Sequence, residues 1–342
     1  MLEFLSVLDQ SNAVEGVSHE TVIQQTIELA QYAELLGYSR FWVSEHHSHP
    51  SVVGTAPEIL IAAISQKTSS IRLGSAGVML PHYSALKVAE QFRVLESLAP
   101  GRIDLGVGRA PGGDMRTSQL LNPNPQAAAY FPQQVQELDL WVRNQPFPTG
   151  HPGRGIQAYP TGNSYPDLWV LGSSDYGAQL AAHLGLPYVF AYFITDGEGA
   201  QQAIDMYFEL FKPSERLQKP KAIACVWAIA ANDDDEAYFQ FRSRARWKID
   251  RQKGLVRPLL RPENALDDLA KHDLFLYEKM CQEGFVGSGE KVFQKLSNLA
   301  EDLHIDEIAV ITSAHDFNIR KNSFNLLAKA LSSNKFSMGS LS

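Results

Sequence analysis

The chain alternates short β-branched runs with segments of helical period, and this alternation constrains its fold more than any other feature. In residues 20–36, apolar side chains recur at the spacing of one helix face, with Ser18 placed to cap the helix and Gly37 to end it. Strands that alternate with helices pair in parallel. The predicted strands cover residues 2–8, 40–44, 71–79, 102–107, 167–171, 187–191, 222–230 and 307–312.

Eight strands, each followed by helical sequence, are the count of a closed (β/α)8 TIM barrel. The rival is an open, doubly wound sheet, whose first turn is typically G-x-G-x-x-G, whereas residues 9–17 contain one glycine. We therefore predict an α/β protein with a single TIM-barrel domain over residues 1–342. Insertions are expected after strands 4 and 7, where residues 111–131, 145–165 and 251–290 break the pattern.

The composition excludes several classes of protein. Lys plus Arg total 30 and Asp plus Glu total 38, for a net charge of −8 without a basic stripe, so nucleic acid is not an expected partner. The two cysteines are too few for a disulfide framework or a thiolate zinc site. The first residues do not read as a secretory signal, and no apolar run reaches roughly 18 residues. A cytoplasmic protein with no membrane partner is expected.

The second strand ends in Ser44-Glu45-His46-His47-Ser48-His49, an unusual density of ionisable side chains. In a barrel such a segment lies at the mouth, where chemistry takes place. His47 and His49, two apart on an extended segment, could hold a metal with help from His315 and Asp316, as in barrel hydrolases. Alternatively, a neutral imidazole could act as a general base beside an organic cofactor. Half-exposed histidines with a structural role are the third interpretation.

Strands 3, 4 and 5 also end in suggestive residues. The small residues of LGSAG indicate space for a flat group, although a bulge or a tight barrel layer would need them too. Arg109 follows glycines and could reach an anion. Ser174 could cap a helix whose amides at Tyr176 and Gly177 bind a phosphate, provided that the Asp175 carboxylate turns outward. The combination predicts a phosphorylated planar cofactor across the barrel mouth.

With these features the sequence resembles the bacterial luciferase-like monooxygenase family of flavin-dependent eight-stranded barrels. The resemblance extends from the first strand to Leu331, and the LGSSDYGAQLAAHLGLP segment is most similar to the flavin-only branch of single-domain members. The similarity is densest in RFWVSEHH, LGSAGVMLPHYSALKVAEQFRVLE, PGRIDLGVGRAPGG and LGSSDYGAQLAAHLGLP.

The resemblance implies roles for particular residues. It assigns catalysis to Glu45, His46 and His47, with His46 as the base that transfers a proton. Family members often have a non-proline cis peptide under the flavin ring at the position of Ala76 and Gly77. Gly108, by contrast, stands where the luciferase has a reactive cysteine, so light emission is not implied. The predicted cofactor-binding residues are Ala76, Gly77, Arg109, Gly172, Ser173, Ser174, Tyr176, Gly177 and Tyr192.

The resemblance also implies the reaction. A separate flavin reductase would supply reduced FMN, which would react with dioxygen to oxygenate a small organic substrate. Three alternatives remain: a deazaflavin-dependent oxidoreductase, a non-enzymatic flavin-binding protein on the same barrel, and the metal-dependent hydrolase. Because family members are often dimeric and the apolar helix faces would allow it, a homodimer is compatible with the sequence.

Overall fold

The computed structural model describes residues 2–339. Within this range the strands are β1 (Phe4–Asp9), β2 (Arg40–Val43), β3 (Arg72–Met79), β4 (Ile103–Gly108), β5 (Asp167–Gly172), β6 (Tyr188–Phe190), β7 (Ala222–Ala231), β8 (Phe285–Ser288) and β9 (Glu307–Ile311). The α-helices are α1 (His19–Leu35), α2 (Pro57–Ser65), α3 (Ala85–Leu98), α4 (Met115–Leu121), α5 (Phe131–Val142), α6 (Asp175–Leu184), α7 (Tyr192–Thr195), α8 (Ala200–Leu210), α9 (Asp234–Gln252), α10 (Lys271–Glu283), α11 (Gly289–Asp302) and α12 (Phe317–Gly339).

The fold is the predicted (β/α)8 TIM barrel, and all eight predicted strands are present as β1 to β7 and β9. The predicted helix limits also hold at α1, where Ser18 Oγ accepts the Thr21 amide at 3.2 Å and Gly37 follows the last turn with φ +79°. The insertions after β4 and β7 are confirmed, because α4 and α5 follow β4, and α9 and α10 follow β7.

A ninth strand, β8, was not predicted. It pairs in parallel with the second half of β7, where Ala228 faces Phe285 and Ala231 faces Ser288. Its sequence, Phe-Val-Gly-Ser, lies between Gly284 and Gly289, so only two apolar residues mark it. A run this short carries no recognisable strand period.

The described residues divide into two compact units. Residues 40–48 and 55–223 form one, called the central unit here, and residues 2–39, 49–54 and 224–339 form the other, called the terminal unit. In the central unit, β2, β3, β4, β5 and β6 pair in parallel in chain order. In the terminal unit, β1 pairs with β9 in parallel, from Phe4 with Glu307 to Val7 with Val310.

Strands β3 and β4 approach each other unusually closely, and glycine makes this approach sterically feasible. A Cβ at Gly74 would lie 2.5 Å from the Asp104 carbonyl oxygen, and a Cβ at Gly106 would lie 2.1 Å from that of Ser75. A Cβ at Gly77 would lie 2.9 Å from the Gly106 carbonyl oxygen. Strand packing therefore accounts for glycine at Gly74 and Gly77, as the interpretation of a tight barrel layer expects, and the space for a flat group stays a prediction.

The pairing of β3 with β4 changes register between Ser75 and Val78. Within this irregular stretch, the peptide bond from Ala76 to Gly77 is cis, as predicted. Ala76 is half-buried while its neighbours Ser75 and Gly77 are buried. The irregularity lies in the carboxyl-terminal half of β3, on the side of the sheet where the predicted site residues follow their strands.

A buried charge cluster lies nearer the amino ends of the central strands. Asp104 of β4 accepts hydrogen bonds from Arg40 Nη1 at 2.7 Å, Arg72 Nη2 at 2.6 Å and Trp42 Nε1 at 2.9 Å. Burial alone would raise the pKa of the Asp104 carboxyl, but the charges of Arg40 and Arg72 outweigh it and lower that pKa. Arg72 also reaches the exposed carboxylate of Asp167 at 2.5 Å.

The terminal unit has its own buried core. Phe324 and Leu327, three residues apart on α12, are fully buried. The Asp9 carboxylate accepts Arg320 Nη2 at 2.9 Å and Thr26 Oγ1 at 2.8 Å, which ties β1 to α12 and α1. Among residues 2–339, no helix is long and apolar enough to cross a membrane.

Candidate active site

Segments that follow β2 and β3 meet at the carboxylate of Glu45. Its Oε1 accepts the Tyr83 hydroxyl at 2.6 Å and lies 2.7 Å from His47 Nε2, while its Oε2 accepts the backbone amide of Met79 at 3.1 Å. Tyr83 Oη also lies 3.3 Å from His47 Nε2. Because Glu45 is 2% exposed, these three donors take the place of water around its charge.

The loop after β4 packs on this cluster through its main chain. The His47 amide donates to the Gly112 carbonyl oxygen at 2.9 Å, and His82 Nε2 lies 2.8 Å from the Pro111 carbonyl oxygen. Gly112 has φ +61°, and a Cβ at Gly113 would lie 2.9 Å from the His47 carbonyl oxygen. Glycine is therefore required at both positions for the loop to approach so closely.

His46 is half-buried, and its Nδ1 lies 3.1 Å from the hydroxyl of the buried Ser44. This contact restrains the imidazole orientation. The three residues predicted to be catalytic are thus adjacent, but their surroundings differ. Glu45 and His47 bind each other and Tyr83, which suits side chains that hold a loop in place, whereas His46 contacts Ser44. Their catalytic role stays a prediction.

Tyr83 is a functional candidate that the sequence analysis missed. Burial, and then its hydrogen bond to the Glu45 carboxylate, raise the pKa of the Tyr83 phenol well above its ordinary value, so it remains protonated and donates. The signal was present: His82 and Tyr83 directly follow the third strand, as the histidines follow the second. A single tyrosine after an apolar run is common, so the sequence alone does not single out Tyr83.

The end of β5 and the start of α6 form a tight turn. Gly172 and Gly177 pack together, and a Cβ on either would lie 3.4 Å from the other Cα. Below them the Tyr188 hydroxyl donates to the Ser174 carbonyl oxygen at 3.3 Å. Ser174 is the N-cap residue of α6, as predicted, but its side chain makes no capping hydrogen bond. The first-turn amides are therefore not capped by the serine hydroxyl and suit an external acceptor.

Arg109 lies beside this helix start. It is exposed, and its Cζ lies 3.9 Å from the centre of the Tyr176 ring, in cation–π contact. The Asp175 carboxylate accepts Gln202 Nε2 of α8 at 2.7 Å, so it is directed toward α8, as a phosphate at the helix start would require. The structure thus brings together Arg109, Tyr176 and the turn of Ser173 and Ser174, and their arrangement suits an anion.

Tyr192, the last predicted cofactor contact, lies in the short helix α7 after β6 and is half-buried. A Cβ at Gly197 would lie 2.2 Å from Tyr192 Cζ, so glycine is needed there for the ring to pack. Burial, and then the charge of Asp196, raise the pKa of Tyr192. The phenol is therefore a neutral hydrogen-bonding group at the carboxyl end of β6.

No metal site is assembled among residues 2–339. In the described part of the chain, no three His, Cys, Asp or Glu side chains are grouped so that they could hold a metal ion. His47, one of the two histidines proposed for this role, is engaged with the Glu45 carboxylate instead. His315 Nε2 lies 3.1 Å from the Glu15 carbonyl oxygen. The residues present do not fit the metal-dependent alternative.

Comparison with known proteins agrees with this fold. The luciferase-like monooxygenase family matches residues 2–307. A luciferase-like monooxygenase of Escherichia coli (strain K12) is 37% identical over 324 residues, covering 94% of this chain and 95% of that protein. The N-acetyl-S-alkylcysteine monooxygenase of Bacillus subtilis (strain 168) is 34% identical over 330 residues, covering 96% and 98%.

Among solved structures, apo-MsnO8 is 35% identical, with a TM-score of 0.87 over 96% of this chain and 98% of that one. More distant barrels share the fold alone. The FMN complex of the oxygenating constituent of 3,6-diketocamphane monooxygenase from Pseudomonas putida has 18% identity and a TM-score of 0.70 over 97% and 98% of the chains. An F420-dependent secondary alcohol dehydrogenase has 17% identity and a TM-score of 0.63 over 97% and 99%.

Fold and relatives together define the class of this protein, which is a flavin-dependent monooxygenase. More specifically, the chain belongs to the luciferase-like monooxygenase family, as the sequence predicts.

Proposed function

We propose that this chain is the oxygenating component of a two-component system, in which a separate flavin reductase supplies reduced FMN. Bound reduced FMN would supply the electrons that activate dioxygen for transfer to a small organic substrate. The observation that carries the choice of FMN is the contact of Arg109 with Tyr176 at the start of α6, where helix amides and a guanidinium face the same region.

In this proposal, the positive groups at the start of α6 favour FMN over riboflavin, because only FMN carries a phosphate. The N-terminus of α6 is partly positive, its serine does not cap it, and Arg109 adds a full charge. The only carboxylate of the first turn, Asp175, is held by Gln202. In this proposal Gly172, Ser173, Ser174 and Gly177 shape the phosphate-binding turn, while Ala76, Gly77 and Tyr192 contact the ring.

In this proposal, residues of the chain transfer a proton and position the segment after β2. His46, restrained by Ser44, donates or accepts a proton at the reacting edge of the flavin. Glu45 and His47 position this segment through Tyr83 and the Met79 amide. The whole chain acts as one luciferase-like barrel domain. The proposal has a parallel in 3,6-diketocamphane monooxygenase, of which the similar barrel is the oxygenating constituent.

The phosphate assignment is tested by titrating wild type and Arg109→Ala with FMN and with riboflavin. Since a charged hydrogen bond is worth about 1.5 to 3 kcal/mol, the variant should bind FMN about ten- to a hundredfold more weakly and riboflavin nearly as before. Arg116→Ala, which removes an exposed arginine from α4, serves as the matched control and should change neither affinity. Equal losses for both flavins would exclude Arg109 as a phosphate ligand.

The same preparation tests the electron supply. Oxygen consumption is followed with NADH and FMN alone, and again after a flavin reductase is added. Because free reduced FMN also consumes oxygen, the reductase without this protein is the control. No consumption by this protein alone, together with slower peroxide release than in the control when both proteins are present, supports the two-component proposal. Consumption without the reductase refutes the proposal. Because F420-dependent enzymes share this barrel, F420 is titrated in parallel, and binding tighter than that of FMN would favour the deazaflavin alternative.

A further inference from the structure

A basic and aromatic stripe runs along α9 in the terminal unit. Arg244, Trp247 and Arg251 follow one another at intervals of three and four residues and therefore share a helix face. Arg244 Cζ lies 5.2 Å from the ring centre of Trp227 in β7 and 4.5 Å from that of Trp247, and Arg251 Cζ lies 5.4 Å from Trp247. These four side chains, Trp227, Arg244, Trp247 and Arg251, are called the α9 stripe.

The stripe is reachable from solvent. Trp227 is half-buried in a strand whose other residues are all buried, Arg244 and Trp247 are half-buried, and Arg251 is exposed. Two indole rings beside two guanidinium groups form a surface with apolar faces and positive charge. The neighbouring face of α9 packs through Ala237, Phe241 and Ala245, and the Trp227 ring centre lies 4.9 Å from that of Phe241.

One atom of the stripe carries an unmet hydrogen-bonding demand. Trp227 Nε1 is buried and makes no hydrogen bond within the described structure. An indole N–H can only donate, so the group that satisfies it must be an acceptor. A buried donor without a partner costs about 1 to 3 kcal/mol, which an arriving acceptor would recover.

The acidic side chains of α9 are paired with other arginines or lie in the first turn of the helix. Asp250, which directly precedes Arg251, forms ion pairs with Arg246 at 3.0 Å and with Arg257 at 2.7 Å. The remaining acids of the helix lie in its first turn, at 234–236. At the C-terminal end of α9, Arg251 acts on His49, whose pKa is lowered by burial and then by the charge of Arg251. The positive charge of Arg251 therefore disfavours a second cation at this end of the stripe.

We propose that the α9 stripe binds the carboxylate of a small organic anion whose apolar body packs against Trp227 and Trp247. A guanidinium stacked on an aromatic face keeps its N–H groups in its own plane, where they can pair with a planar carboxylate. The Trp227 N–H adds a donor, and the indole faces supply apolar contact area. The identification of this anion as the compound that is oxygenated rests on the proposed monooxygenase function.

The test compares acids with neutral esters of the same shape. Calorimetric titration of the intact protein, without flavin, uses N-acetyl-S-methylcysteine, N-acetyl-S-benzylcysteine and 3-phenylpropionate, each beside its methyl ester. At least one acid should bind about ten- to a hundredfold more tightly than its ester, the range expected for a charge-assisted hydrogen bond. If no acid binds more tightly than its ester, the proposal is wrong.

Two variants locate the effect. Arg244→Gln should abolish the preference for the acid, and Arg244→Lys should restore part of it. Arg242→Gln is the matched control, because Arg242 is two positions away on the same helix and its Cζ lies 5.0 Å from the Phe239 ring instead. Wild-type discrimination in Arg242→Gln supports the assignment. A loss as large as in Arg244→Gln would overturn it, as would unchanged discrimination in Arg244→Gln.

Oxygenation assays with reduced FMN separate this proposal from the proposed function. An acid that binds through Arg244 but is never oxygenated would support the anion site and count against the identification of its ligand as the substrate. Oxygenation of acid and ester with equal KM would support the monooxygenase function and refute the anion site as the substrate site. If both proposals hold, Arg244→Gln raises KM for the acid about tenfold or more and changes kcat little.

Discussion

Asp104 and Glu45 are two of the carboxylates buried in the central unit, and they are compensated in different ways. Asp104 is 0% exposed and is paired with two arginines and an indole N–H, whereas Glu45 is 2% exposed and accepts from a phenol, a backbone amide and the neighbouring histidine. Asp104 lies inside a strand, and Glu45 follows one. The Asp104 carboxylate is thus compensated by permanently charged arginines, whereas the Glu45 carboxylate is hydrogen-bonded by neutral or titratable groups.

The difference indicates different roles. Removing one member of a buried ion pair leaves the other charge uncompensated, so the Asp104 cluster should respond chiefly in stability. The Glu45 cluster joins loops through single hydrogen bonds, each worth about 1 to 3 kcal/mol, and lies next to His46. It should respond chiefly in activity. The following experiments are arranged to break or sharpen this contrast.

His46→Ala should give the largest effect, and only on activity. Loss of a general acid or base typically reduces a rate about a hundred- to ten-thousandfold, while FMN affinity should stay within a few fold. The measurement is product formation from reduced FMN, together with a flavin titration. His183→Ala, at an exposed helix position, is the control and should behave like wild type. A fall in FMN affinity that matches the fall in rate would mean that His46 binds the flavin instead.

Asp104→Asn should destabilise the fold by about 3 to 5 kcal/mol, because Arg40 and Arg72 would lose the buried carboxylate that compensates their charges. Urea unfolding measures this change, and FMN affinity of the folded variant should be close to that of wild type. Asp167→Asn is the comparison, since its carboxylate is 53% exposed and pairs with the same Arg72, so its loss should cost about 1 kcal/mol or less. Equal losses in the two variants would contradict the special role of the buried carboxylate.

Tyr83→Phe removes one hydroxyl from the Glu45 cluster. The lost hydrogen bond to a carboxylate should cost about 1.5 to 3 kcal/mol of stability, and oxygenation should slow about tenfold because the His46 segment is held less firmly. Tyr130→Phe, at a half-exposed position, provides the control. A variant with lowered stability and unchanged oxygenation would show that Tyr83 supports the fold alone.

The smallest expected effect concerns acid stability. Because the pKa of Asp104 is lower in the folded protein than in the unfolded chain, its contribution is complete above the unfolded value of about 4 and is lost as pH falls through the folded value. Each unit of difference corresponds to about 1.4 kcal/mol. Urea midpoints of wild type and Asp104→Asn should therefore converge below pH 4. Parallel curves would mean that another acid controls unfolding.

Much of the fold was predictable because buried parallel strands read as short β-branched runs, and eight such runs were found. The ninth, β8, escaped because two apolar residues between glycines cannot display a period. The sequence left the purpose of the small residues of β3 open, since it does not reveal that a Cβ at Gly74 would meet the neighbouring strand. That contact depends on a register set by the whole sheet.

The site was predictable as far as strand ends reveal it. His46, Arg109 and Ser174 were identified because parallel strands deliver their last residues to one edge. The partners of Glu45 were not identified, because Tyr83 is 38 positions away and its contact arises only when two loops fold together. The α9 stripe was also missed, since charged residues at helical spacing are typical of a solvated face.

The loop after β4 is held by carbonyl oxygens of Pro111 and Gly112 rather than by their side chains. Hydrogen bonds to the main chain do not depend on most side chains, so most substitutions in the loop would preserve them. An insertion would break them, because an added residue would shift both carbonyl oxygens. The side chains of this loop can therefore vary during evolution, and substrate specificity can vary with them, as long as the backbone path and the two glycines are retained.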